Sequence, residues 1–161
     1  MSLFEDDQYS WRETFFILFD VADRPTAQQL ENAIKKLGSS YDVNNLSADE
    51  EGRFESLTLR SPDDYAAMDI SFASGDEVSE HGAELAADMK AMTLSDEERV
   101  QLARLSECNA QFDVYHFEQI ILTGDEEEDE LFDPGSLLIV LERLAQLCKG
   151  IVVDPQSGSL V

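Results

Sequence analysis

The chain has 161 residues, 35 of them acidic and 11 basic, giving a formal net charge of -24. A field of that sign disfavours nucleic-acid backbones and anionic membranes, which are held by clustered Lys and Arg, and here only Lys35 and Lys36 adjoin. With 43% apolar and 29% charged residues in patterned segments, the composition is that of a folded protein, not a disordered one.

Residues 11–20 (WRETFFILFD) read as a strand with Phe15, Ile17 and Phe19 on one face and Phe16 and Leu18 on the other. A strand that is apolar on both faces belongs inside a sheet. Pro25 and Thr26 open a helix that runs to Leu37 with Leu30, Ile34 and Leu37 at helical spacing, and Gly38 ends it. Residues 39–52 read as a long loop. Next, 54–60 alternates with Leu57 and Leu59 inward, 61–64 turns, and 65–73 alternates with Met68, Ile70 and Phe72 on one side. That pattern is a β-hairpin.

A helix is expected over 76–92 with Val78, Leu85, Ala86 and Met89 buried, and Gly82 inside it asks for a packing reason. Ser95-Asp96-Glu97-Glu98 is a capping box opening a further helix to Cys108. Residues 111–121 alternate, with Phe112, Val114 and His116 on one face and Asp113, Tyr115 and Phe117 on the other. The run 125–130 is an acidic loop. Asp133 and Pro134 then start a helix over 134–149 carrying Leu137, Leu138, Leu141, Leu144 and Leu147. Gly150 stops it, 151–153 is a short strand, and 154–158 (DPQSG) is ordinary turn chemistry.

These elements predict an α+β fold over 1–161 with a mainly antiparallel sheet. The expected core is a ferredoxin-like split βαβ unit (10–120, βαββαβ), followed by the acidic loop 121–133 and an appended helix-strand unit at 134–161. Helices on one side would leave the other sheet face open.

Three readings of the charge compete: a solvated surface suited to a salty habitat, a basic protein partner, and divalent cations. The acidic loop lacks the alternating carboxylates and glycine of an EF-hand, and two His with two scattered Cys give no zinc spacing. His81 with Glu77, Glu80 or Glu84 is the one helical metal arrangement considered, and an exposed histidine is the simpler reading. Cys108 and Cys148 are expected as buried thiols. No cofactor fingerprint or catalytic motif is present, so neither cofactor nor metal is expected.

The reading reached is a non-catalytic interaction module. Glu126, Glu127, Glu128 and Asp129 would steer a basic or mixed-charge partner, while Tyr65, Tyr115 and His116 would make contact on the sheet. A homodimer through the open face is a further option. The alternative is a small enzyme or ligand-binding domain using His116 with Asp69 or Asp113, with Arg60 able to pair with either acid and Cys108 weighed as a nucleophile for His116. Without a leader or an apolar run of membrane length, the expected location is the cytoplasm.

Overall fold

The two-faced first strand sits where its pattern requires, between two others. In a computed structural model that describes residues 9–38, 41–61, 66–90, 95–119 and 135–160, β1 (Tyr9–Phe19) pairs antiparallel with β5 (Ala110–Gln119) and with β6 (Ile151–Asp154). The remaining strands are β2 (Asp42–Ala48), β3 (Phe54–Ser61), β4 (Ala66–Ser74) and β7 (Ser159–Leu160). Among the described residues the strands make one seven-stranded sheet in the order β2-β3-β4-β5-β1-β6-β7, with every pairing antiparallel. The α-helices among the described residues are α1 (Ala27–Lys35), α2 (Asp76–Met89), α3 (Asp96–Leu105) and α4 (Gly135–Cys148).

The α+β class and antiparallel sheet are as expected, but the strand order is not the ferredoxin-like one. A split βαβ core would place the first strand between the hairpin and the fourth strand; here β5 lies between β4 and β1. The reason is a strand read as loop. Residues 42–48 form β2, which runs antiparallel to β3. That extra reversal makes β4 parallel to β1, so the two cannot be antiparallel neighbours and β5 must separate them.

Helices cover both faces, which corrects the expectation of one open face. Ile17, Phe19, Met68, Ile70, Phe112 and Val114 pack with Leu30 and Ile34 of α1 and with Val140, Leu141 and Leu144 of α4. Leu18, Ile151 and Val153 point the other way, against Ala86 and Met89 of α2 and Leu102 and Leu105 of α3. Alternation along β1 thus feeds two cores at once. Leu138, read as part of the buried stripe of α4, is half exposed, and Val140 takes the inward position.

The predicted caps are in place. Ser95 Oγ accepts from Glu98 N while Glu98 Oε1 accepts from Ser95 N, both at 3.2 Å. Thr26 and Gln29 exchange the same pair of bonds at the start of α1. Nearby, Arg24 is held over the Phe72 ring at 3.7 Å and donates to the Phe54 carbonyl, tying the entry of α1 to β3.

The end of α4 differs from the reading in a useful way. Lys149, not Gly150, takes the left-handed conformation (φ 55°), and Gly150 N donates to Ala145 O at 2.8 Å. Gly150 is needed for space, because a Cβ there would lie 2.7 Å from Ile17 Cγ2. Lys149→Gly is therefore expected to stabilise the fold by about 0.5–1 kcal/mol, read as a raised urea midpoint at unchanged m-value.

Candidate functional site

His116 lies on the face of β5 that carries Phe112 and Val114, opposite Glu13 of β1, and is completely buried. Its Nδ1 is 3.3 Å from Glu13 Oε1. Burial, with the Arg12 guanidinium second, pushes its pKa down to about 4. The imidazole is thus neutral at neutral pH, and Nδ1–H donates to the carboxylate. Burial, followed by the charge of Asp154, raises the pKa of Glu13. Glu118, on the same strand, pairs with Arg12 at 3.2 Å.

Asp113 is three residues from His116 on one strand, so it points to the opposite face. Asp69 shares the face of Asp113: Asp69 pairs with Tyr115 and Ser71 with Asp113 across β4 and β5. The combination of His116 with Asp69 or Asp113 is therefore broken by the sheet itself. Cys108 is also cut off from His116, since it packs in the core beneath α2 and α3. Both cysteines are buried thiols, and burial raises the pKa of Cys108 to about 11 and that of Cys148 to about 12.

On the Asp113 face the two acids are each engaged. Asp69 Oδ1 accepts from Thr58 Oγ1 at 2.7 Å. Asp113 Oδ1 accepts from Gln111 Nε2 at 2.6 Å, and Gln111 Oε1 is 2.8 Å from His81 Nδ1 on α2. His81 also meets the Phe16 ring edge-on at 4.7 Å between centroids. Thus His81, weighed as a ligand with Glu77, Glu80 and Glu84, turns to the sheet. Burial raises the pKa of Asp113; the Gln111 hydrogen bond and His81 act against that. Tyr115, a predicted contact residue, is partly buried there, and its pKa is raised by burial and by Asp113. Arg60 stands 5.8 Å from the Tyr9 ring centroid. Tyr65, Glu126, Glu127, Glu128 and Asp129 lie outside the described residues.

Two features escaped the sequence reading. One is α2, where Asp76, Glu77, Glu80, Glu84 and Asp88 are all exposed and no Lys or Arg of the described residues is within ion-pair distance of them. Glu80, Glu84 and Asp88 recur every fourth residue, a spacing visible in the sequence. The other is Gln156, whose amide donates to Thr14 O and accepts from Thr14 N, continuing the ladder beside β1 with a side chain. Asp154 Oδ1 fixes that amide by accepting from Gln156 Nε2 at 2.7 Å.

The main described concavity is a groove of about 700 Å³ between α2 and α3, lined by Ala83, Ala86, Lys90, Arg99 and Leu102 among others. None of the described grooves reaches His116, Asp69 or Asp113. Comparison with family models, curated proteins and solved structures gave no match.

Proposed function

We propose that this chain is a non-catalytic interaction module for a basic or mixed-charge protein partner. The observation that carries the reading is the uncompensated acidic face of α2. Like charges three and four residues apart on a helix destabilise it by a few tenths of a kcal/mol per pair. Here Glu77–Glu80, Glu80–Glu84 and Glu84–Asp88 are such pairs, with no Lys or Arg of the described residues within ion-pair distance. An arrangement that works against the helix, yet projects a strong field outward, suits steering of a cationic surface.

The complete burial of His116 favours this reading over the enzyme alternative. A two-fold homodimer through the Asp69–Asp113 face would bring two copies of this acidic pair into one interface.

The test is a fourfold variant, Glu77→Gln, Glu80→Gln, Glu84→Gln and Asp88→Asn, beside a control with Asp42→Asn, Glu50→Gln, Glu97→Gln and Glu107→Gln. Partners are captured from lysate at low and high salt and titrated. The α2 variant should bind at least about tenfold more weakly, while gaining about 1 kcal/mol of stability from relieved repulsion. Equal loss in the control would reduce the effect to net charge and overturn the reading.

A further inference from the structure

The acids of α2 explain attraction but not where a partner would be gripped. Beside that helix, the chain Asp113–Gln111–His81 has a fixed polarity. An ionised carboxylate only accepts, so Gln111 must present its Nε2 to Asp113. Its Oε1 then accepts from His81 Nδ1–H, and a ring carrying that single proton presents Nε2 as an acceptor. Asp113 Oδ2 and His81 Nε2 make no hydrogen bond within the protein, and neither is sealed from solvent.

No Lys or Arg of the described residues is within ion-pair distance of Asp113. A half-buried carboxylate with no Lys or Arg beside it is poorly hydrated, and an incoming cation relieves that state. Both open atoms are acceptors, so the complementary group carries donors only. Phe16, edge-on to His81, and Tyr115, two residues from Asp113, supply flat apolar surface nearby. A planar guanidinium with five N–H donors meets these demands better than a compact ammonium.

We infer that Asp113 and His81 form the receptor for an arginine side chain of the partner, on the sheet-facing side of the acidic α2. The inference rests on the proposed function and names the anchoring group.

The experiment is an amide-resolved NMR titration of the whole chain with N-acetyl-arginine methylamide, alongside the citrulline derivative, its uncharged isostere, and the lysine derivative. The arginine probe should give saturable shifts at His81, Gln111, Asp113 and Ser71. Citrulline should give none, and lysine a several-fold weaker response. Asp113→Asn should weaken arginine binding about tenfold, the loss of one charge-assisted hydrogen bond. Should that variant lose its folded spectrum, His81→Phe removes the second acceptor and is expected to weaken binding in the same direction. Unsaturable shifts spread along Glu77, Glu80 and Glu84, or equal responses to citrulline or lysine, would overturn the receptor. Salt-sensitive partner capture that depends on α2 would then still stand, so the two failures are distinguishable.

Discussion

Gly82→Val is expected to destabilise the fold by about 3 kcal/mol, and Gly82→Ala by about 1 kcal/mol. Alanine in a helix interior ordinarily gains about 1 kcal/mol over glycine, so a loss reverses the usual sign. The reversal comes from distance. A Cβ on Gly82 would stand 2.6 Å from the Leu105 carbonyl oxygen and 3.3 Å from Leu18 Cδ2. The first is backbone at the end of α3 and cannot rotate aside. α2 would have to lift off both α3 and β1, loosening Ala86, Met89 and Leu102 together. Urea unfolding at unchanged m-value reads this directly, and a Gly82→Ala protein more stable than the parent would contradict the packing account.

The second large effect is acid sensitivity through His116. Unfolded, the imidazole takes up its proton near 6.5; folded, it does so only near 4. Between those values the unfolded chain binds more protons, so the contribution of His116 is full above about 6.5 and is lost as pH falls toward 4. A shift of that size corresponds to about 3 kcal/mol. Glu13 works the other way: its raised pKa lets the folded state hold a proton that the unfolded chain has released. Protonation of surface carboxylates also relieves repulsion on acidification. The informative quantity is therefore the difference between the parent and His116→Gln, measured by urea unfolding across that range. The parent should lose up to about 3 kcal/mol more than the variant on acidification. Parallel curves would mean that His116 is solvated and titrates normally.

Much of the fold could be read from local pattern, because local pattern reports burial. The doubly apolar β1, the Ser95 and Thr26 helix starts and the hairpin of β3 and β4 all follow from side chains within a few residues. β2 could not be read in this way. Its segment DVNNLSA is an exposed edge strand in which only Val43 packs against the core, and Asn45 breaks the alternation with φ 56°. Missing that one strand inverted the expected directions of β3 and β4 relative to β1, which turned the predicted order into the wrong one.

The candidate site was legible in part. Period-two alternation placed Asp69 and Asp113 on a shared face, and the same rule already separated Asp113 from His116. Gln111 lies two residues from Asp113, but Glu13 lies 103 residues from His116 and His81 lies 30 from Gln111; no local spacing relates these last two pairs. That information exists only after the sheet has formed.

The most direct test of the central claim is the association rate of the captured partner as a function of ionic strength, for the parent and the fourfold α2 variant. Steering by α2 predicts a steep fall with added salt for the parent and a clearly shallower one for the variant, with the two rates converging at high salt. The same slope in both proteins would place the steering charge elsewhere and contradict the account.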